Sequence, residues 1–199
     1  MNKFKKSILS TTLLIALFLM STTIFAQSTY KIDPAHAKVS FSTVHNTISD
    51  VAGLFNTFES NLTVSKADFS DGVFDMSIDV TSIDTEIKMR DDHLRSADFF
   101  EVEKFPKITF KSTSVEKTKA KNRYKLKGNM TMHGVTKAVT MDLWYRGTIT
   151  DTQSGNVIAG FQISGMVNRL DFGVGPKFPE ALISNKVMIK VDAEYIKQK

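Results

Sequence analysis

The sequence contains no cysteine and only four histidines among its 199 residues. The missing cysteine excludes disulfides, thiolate chemistry and a lipid anchor on an N-terminal cysteine. The histidines are His36, His45, His93 and His133, and no two of them have the spacing with which a helix binds zinc. Folding could still gather two or three of them, but the sequence itself predicts no metal site and no cofactor.

Concentrated positive charge is also lacking. The formal net charge is +5, but Lys3, Lys5 and Lys6 supply three of those charges at the N-terminus, where there is no acidic residue. Residues 27–199 therefore carry only about +2. Proteins that bind nucleic acid present a dense basic patch or stripe. We therefore expect no nucleic-acid partner.

One long apolar run without charge is present, from Ile8 to Ile24. Because three lysines precede it and the small residue Ala26 follows it, the layout is that of a secretory signal peptide cleaved after Ala26. An uncleaved anchor helix is the alternative, but the run is near the lower length limit for a bilayer span. We expect residues 1–26 to be removed, residues 27–199 to form one domain, and the protein to reach the periplasm or the extracellular space.

Alternation of apolar and polar residues dominates the rest of the chain. In VFDMSIDV, Phe74, Met76, Ile78 and Val80 share one face, while aspartates and a serine occupy the other. Each such segment is polar on one face, which is typical of antiparallel strands with one dry side. About eight strands in hairpin succession are predicted, and they could close as a barrel or split into a sandwich. The alternating segments lie near residues 38–42, 58–64, 74–80, 108–110, 124–132, 139–146, 161–167 and 187–195.

The segment from Asp84 to Lys104 interrupts this pattern. It is too long for a hairpin loop and does not alternate. Asp84 or Thr85 could cap a short helix that carries Ile87 and Leu94 on one side. A helical excursion around residues 85–100 is therefore predicted.

Four separated motifs follow one another along the chain: HAKVSFSTVHNTISDVAGLFNTFESNL, SIDTEIKMRDDHLRSADFFEVEKFPKITFKSTSV, GNMTMHGVTKAV and NRLDFGVG. In this order they resemble the motifs of the YceI-like family of exported lipocalin-type proteins. The first motif contains His36, Phe41, His45, Gly53, Phe55 and Phe58 at the family's positions.

This resemblance implies an all-β fold, an eight-stranded antiparallel lipocalin-like barrel, with the helical excursion packed against it. It also implies an elongated apolar cavity and a long-chain lipid ligand, since family members are associated with polyisoprenoids or other long-chain lipids in the periplasm. Met130 and Met132 depart from the family's pattern, and Trp144 and Tyr145 add bulk, which leaves the size of the ligand open. A short acyl chain would also suffice, because each buried CH₂ contributes about 0.8 kcal/mol.

The inward faces of the predicted strands are apolar and include several methionines, whose flexible side chains can accept chains of varying shape. The same pattern also fits a barrel that is filled by its own side chains, which the methionines alone would favour. With the resemblance, we expect the lipid tail to be held by Phe41, Phe58, Leu62, Phe74, Met76, Ile78, Phe110, Leu126, Met130, Met141, Leu143, Phe161 and Ile163.

The polar stretch RDDHLRSADFF within the helical excursion has several interpretations. Acid–base catalysis would pair His93 with an adjacent aspartate, but no nucleophile motif accompanies it. An ion-paired cap over the barrel is the simpler interpretation. The more specific one is that Arg90, His93 or Arg95 binds the acidic head group of a lipid at the cavity mouth, because arginine matches phosphate in bidentate geometry.

The sequence thus predicts a lipid-binding protein, not an enzyme, that stores a long-chain lipid or transports it across the periplasm. Transient membrane contact is expected, and paired edge strands could form a homodimer. A lipocalin-like enzyme is one alternative, with His45 as its candidate polar group, and a ligand-free interaction or stress module is another. Arg169 and Asp171 are predicted to form an ion pair beside a bend at Gly173 and Gly175.

Overall fold

The computed structural model describes residues 27–199. The predicted signal peptide lies outside the described residues, so cleavage and export stay predictions. The described residues form ten strands, one α-helix and two 3₁₀ turns. The strands are β1 (Ser28–His45), β2 (Ser49–Phe55), β3 (Phe58–Val64), β4 (Val73–Asp79), β5 (Ile83–Asp84), β6 (Lys107–Lys117), β7 (Arg123–Met132), β8 (Val135–Thr150), β9 (Val157–Asn168) and β10 (Lys186–Lys197); helix α1 spans Lys88–Arg95, and the 3₁₀ turns span Val80–Ser82 and Arg169–Phe172.

Eight of these strands close into an antiparallel barrel, which confirms the predicted fold class. Their order is β1, β3, β4, β6, β7, β8, β9 and β10, and β10 pairs with β1 to complete the ring. β2 and β5 prolong the wall at one end, where β2 pairs with β1 and β5 with β2. Closure pairs each ring strand on both sides, which restricts the predicted edge-to-edge homodimer to the short extensions.

The barrel has two different ends. At the helix end lie the tip of the β1–β2 hairpin (46–48), the segment that contains α1 (85–106) and the long connection 169–185. At the loop end lie the three connections 65–72, 118–122 and 151–156.

Helix α1 is shorter than predicted, and the predicted cap is wrong. Ile87 occupies the N-cap position and makes no side-chain cap hydrogen bond. Asp84 instead accepts a hydrogen bond from the Glu86 backbone at 2.8 Å, and Thr85 donates through its backbone N–H to Asp91 at 2.8 Å. Asp84 therefore binds within the turn before the helix and Thr85 binds the helix residue Asp91, but neither residue caps the helix. Within residues 27–199 the structure contains no helix with the length and apolar character that a membrane span requires.

Candidate functional site: an apolar cavity at the helix end

The interior of the loop end is solid. The connection 65–72 folds into the barrel and buries Phe69, whose ring centroid lies 4.8 Å from that of Tyr145 and 5.1 Å from that of Phe161. These rings fill the barrel axis. Three leucines complete the packing and are at most 1% exposed: Leu62, Leu126 and Leu143.

The interior of the helix end is hollow and contains a cavity of about 140 Å³. Of the 26 described residues that line it, 21 have apolar side chains. Four are methionines, contributed by β4, β7 and β8. Some lining side chains are partly exposed and lie near the hairpin tip and the 169–185 connection. They include Phe41, Thr43, Ile183 and Val187. Because the loop end is filled, we infer that the cavity opens toward the helix end.

The floor of the cavity carries a buried hydrogen-bonded pair. The Tyr195 hydroxyl donates to Ser60 Oγ at 2.9 Å, and Ser60 Oγ donates to the Asp75 carbonyl at 2.9 Å. Burial raises the pKa of Tyr195 to about 12, although its hydrogen bond to Ser60 acts in the opposite direction. The phenol is therefore neutral at physiological pH and has its own partner.

The other polar side chains that line the cavity are also paired. Ser40 donates to the Lys190 carbonyl at 3.0 Å, and the Thr43 hydroxyl lies 2.9 Å from that of Ser184. The fifth polar lining residue, Arg169, is described below. Among the described residues, no polar side chain of the cavity wall is left without a hydrogen bond. The wall therefore fits a hydrocarbon chain and offers no free group for a polar head.

The structure brings together eight of the thirteen residues predicted to hold the lipid tail. Those that line the cavity are Phe41, Phe74, Met76, Ile78, Phe110, Met130, Met141 and Ile163.

The other five predicted residues do not line the cavity. Leu62, Leu126, Leu143 and Phe161 face inward as expected, but they belong to the solid loop end. Phe58 is half-buried at the junction of β2 and β3 and borders a shallow depression of the outer wall. Alternation identifies the face of a strand but not the depth along the barrel, so it could not show which inward residues lie beside the cavity.

Sequence reasoning missed several lining residues for two reasons. Val187, Ile189, Val191 and Tyr195 line the cavity from β10 and belong to the alternating segment 187–195 of the sequence. Their alternation was thus a usable signal. Residues of the two helix-end segments, such as Val174 and Ile183, have no periodic pattern that could have identified them.

Arg90 forms hydrogen bonds within the segment that contains α1, and Arg95 joins that segment to residues 81–83 at the end of the barrel wall. Arg90 donates to the Thr85 hydroxyl at 2.7 Å and to its carbonyl at 2.6 Å. Arg95 donates to the carbonyls of Thr81 and Ile83 at 2.8 and 2.7 Å. Neither guanidinium lines the cavity, and their role in head-group binding stays a prediction.

His93, the third head-group candidate, lies where the two helix-end segments meet. Its Nε2 lies 3.3 Å from Asp98 Oδ2, and Lys177 donates to Asp98 Oδ1 at 2.9 Å. Beside them the rings of Phe99 and Phe178 stack with centroids 4.6 Å apart. The ion pair and the stack join the α1 segment to the 169–185 connection above the cavity.

Arg169 is buried at the cavity wall and organises the 169–185 connection. Its guanidinium donates to five backbone carbonyls, those of Val174, Gly175, Phe178, Ile183 and Ser184. The predicted ion pair with Asp171 is therefore wrong. Gly175, which supplies one of these carbonyls, has φ of 61°, a backbone conformation that favours glycine. Arg169 thus holds the loop in a fixed path over the cavity.

The structure places the remaining candidate polar residues away from the cavity. His45 forms a backbone bridge with Ile183, and it does not line the cavity. Among residues 27–199, one group could hold a metal ion: Asp33, His36 and Glu194, on the outer wall where β1 bulges. His36 Nδ1 lies 2.7 Å from Asp33 Oδ2, and this contact raises the pKa of His36.

Comparison with known proteins agrees with this architecture. The model of the YceI-like domain matches residues 30–195. Protein YceI of Salmonella newport (strain SL254) is 36% identical over 197 residues, which covers 98% of this chain and 100% of that protein.

Two solved structures share the fold. Burkholderia cenocepacia BcnA has a TM-score of 0.72 and 24% identity, and the match covers 84% of this chain and 99% of that chain. A polyisoprenoid binding domain from Saccharophagus degradans, implicated in plant cell wall breakdown, has a TM-score of 0.65 and 16% identity, with coverage of 85% and 98%.

Proposed function

Because the chain belongs to the YceI-like family, we propose that it is an exported protein that holds a long-chain amphipathic lipid in the cavity of the helix end. A polyisoprenoid, an isoprenoid quinone or a fatty-acyl lipid would fit this description. The role is storage or transport across the periplasm. The observation that carries the proposal is a cavity wall of apolar side chains in which each polar side chain already has a partner.

The tail of the lipid lies among the eight predicted residues that line the cavity, and the head lies outside. Ten buried carbons would contribute roughly 8 kcal/mol at about 0.8 kcal/mol per CH₂, which corresponds to about micromolar affinity before ordering costs. A polar head inside would have to break a hydrogen bond such as that between Tyr195 and Ser60. The mouth at the helix end leaves the head in water.

The cavity must widen to accept a long chain. Its volume of about 140 Å³ is below the roughly 300–1,000 Å³ of typical ligand pockets. The four methionines of the wall can change rotamer at small cost, because their side chains are unbranched. We expect the bound chain to take the space that Met76, Met130, Met132 and Met141 vacate.

The polar groups at the cavity floor favour binding without catalysis. Tyr195 lies at the cavity floor, and because its pKa is about 12 the phenol stays protonated near neutral pH and cannot serve as a general base. Its partner Ser60 donates to a backbone carbonyl and has no base beside it that would activate it. One of the solved structures that share the fold is a polyisoprenoid binding domain, which supports binding over catalysis.

Mass spectrometry of organic extracts tests the proposal. The protein is purified from its exported fraction, and a variant in which Ile163→Phe and Val191→Phe narrow the cavity is purified beside it. These residues are cross-strand partners that both line the wall. The matched control carries Val73→Phe and Ile149→Phe, both on exposed positions of the loop end.

The expected result is a stoichiometric lipid in the wild type and the control, and at least tenfold less in the narrowed variant. An empty extract from folded wild-type protein would overturn the proposal and favour an interaction module. A lipid accompanied by its chemically altered product would instead indicate an enzyme.

A further inference from the structure

The wall near the cavity mouth exposes apolar side chains to solvent beside residues that line the cavity. Four neighbouring pairs of residues each place one side chain toward the cavity and expose the next one to solvent. Farther from the mouth the outward positions include polar residues, such as Asp75 and Ser77 on β4, and scattered apolar ones, such as Val73 and Ile149 at the loop end. The four pairs, with the lining residue first, are Thr43 and Val44, Val167 and Met166, Ile183 and Leu182, and Val187 and Met188.

The exposed apolar residues form one continuous patch. Met188 pairs with Met166 across β9 and β10, and it pairs with Ser42 on β1, two residues before Val44. At the hairpin tip, Asn46 donates to the Leu182 carbonyl at 2.9 Å. Ile48 follows at the same tip and is 84% exposed. We name Val44, Ile48, Met166, Leu182 and Met188 the outer patch.

Charges beside the outer patch are balanced. Val44 lies opposite Asp50 on β2, and Lys186 lies two residues before Met188 on β10. Lys190, two residues after Met188, pairs with Asp192 at 2.8 Å. The patch therefore lacks the net positive charge that binds polyanions, and its affinity must come from apolar burial.

We propose that the outer patch docks on the surface of a phospholipid bilayer, which places the cavity mouth against the membrane. This inference rests on the proposed function, because a water-insoluble ligand must reach the cavity from a lipid phase. The same four segments form the mouth and the patch, so a membrane-bound barrel has a continuous apolar path from the acyl chains to Val187 and Ile183. Ile48 at the hairpin tip inserts first.

Vesicle flotation tests this docking. Wild-type protein is mixed with phosphatidylcholine vesicles beside two double variants. One carries Ile48→Ser and Met188→Thr in the outer patch. The matched control carries Ile149→Ser and Val73→Thr at the loop end. Their exposed fractions, 64% for Ile149 and 40% for Val73, are comparable with 84% for Ile48 and 40% for Met188.

The partition coefficient is expected to fall at least tenfold for the patch variant and to stay within twofold for the control. Because burial drives binding, it is also expected to change little between low and high salt. Thermal unfolding shows whether each variant is folded. If the double patch variant does not fold, Met166→Thr alone is used instead, and its partition coefficient is expected to fall by a smaller factor. No flotation of the wild type, or equal losses in both variants, would overturn the docking.

Mass spectrometry of the same samples separates the two proposals. The patch variant leaves the cavity lining intact, so lipid retained in the cavity together with lost flotation supports membrane docking. If the patch instead holds two copies of the chain together, sedimentation would show a wild-type dimer that the patch variant dissociates, and bilayer docking would be wrong.

Discussion

The loop end and the helix end of the barrel have the same alternation of inward and outward residues, but their interiors are packed differently. In the loop end the connection 65–72 delivers Phe69 into the axis, and the ring contacts Tyr145 and Phe161. In the helix end the α1 segment and the 169–185 connection lie over the opening and leave about 140 Å³ beneath them. The strands decide which side chains face inward. The connections decide whether that interior is filled.

The physical difference lies in what the connections bind. Phe69 has φ of 59°, an uncommon conformation for a residue with a side chain, and burial of its ring against other aromatic rings compensates for this. At the helix end, Arg169 and Arg95 donate to backbone carbonyls of the covering segments and of the strand ends. Hydrogen bonds thus hold the α1 segment and the 169–185 connection, which together form the cover of the cavity, without a large side chain in the barrel axis.

Removing Phe69 tests whether the loop end is filled by this one residue. Phe69→Ala should lower the free energy of unfolding by about 3–5 kcal/mol, since it deletes a buried ring and leaves a cavity. Urea unfolding measures the loss, and Phe69→Leu should recover part of it. A loss below about 1 kcal/mol would mean that the neighbouring rings collapse into the space.

A larger side chain should destabilise the solid loop end more than the hollow helix end. Leu143 and Ile163 are cross-strand partners, and Leu143 is buried in the solid half while Ile163 lines the cavity. Leu143→Phe should cost about 1–3 kcal/mol of stability through overpacking. Ile163→Phe should cost less than about 1 kcal/mol, because its ring can enter the cavity, but should weaken lipid binding at least tenfold.

Urea unfolding and lipid extraction on both variants provide the measurement. If Leu143→Phe released the lipid and Ile163→Phe unfolded the protein, the assignment of solid and hollow halves would be reversed.

The sequence predicted the barrel well because inward and outward positions alternate clearly. β4 and β10 show this, with Phe74 and Tyr195 inward and Asp75 and Asp192 outward. The closure of the ring itself was expected from the family resemblance, since alternation fits a sandwich equally well. The structure resolves that choice through the pairing of β1 with β10.

The candidate site was predicted only in part, for a physical reason. Leu143 and Met141 stand two residues apart on the same face of β8, but only Met141 reaches the cavity. Leu143 lies two residues nearer to Tyr145, against which Phe69 packs, and Phe69 comes from a connection without periodicity. Sequence reasoning missed the role of Arg169 in a similar way, since an arginine near an aspartate suggests an ion pair, whereas its five acceptors are backbone carbonyls of residues 174–184.

The cover of the hollow half can be loosened without touching the cavity wall. Arg95→Gln removes hydrogen bonds to the carbonyls of Thr81 and Ile83 and should cost about 1.5 kcal/mol of stability. Because Arg95 acts here as a support, binding of a phosphorylated lipid and of its alcohol should weaken by the same factor. Fluorescence titration with both lipids measures this. A loss confined to the phosphorylated lipid would assign Arg95 to the head group.

A smaller effect is expected where Asp68 holds the connection that fills the loop end. The hydrogen bond from Lys117 is the main reason that the pKa of Asp68 falls from 3.8 to about 2, and the two groups lie 2.7 Å apart. A carboxyl whose pKa is lower in the folded state stabilises the fold above its unfolded pKa, and this contribution disappears as the pH falls from about 4 to about 2.

Both side chains are largely exposed, so Asp68→Asn should cost less than about 1 kcal/mol at neutral pH. Urea unfolding should show wild type and variant converging as the pH approaches 2. Arg95→Gln should converge only in small part, because its bonds to the Thr81 and Ile83 carbonyls do not titrate and only its contact with the Asp92 carboxylate is lost in acid. A gap between wild type and Asp68→Asn that persists in acid would mean that the carboxylate holds Phe69 in place by geometry rather than by charge.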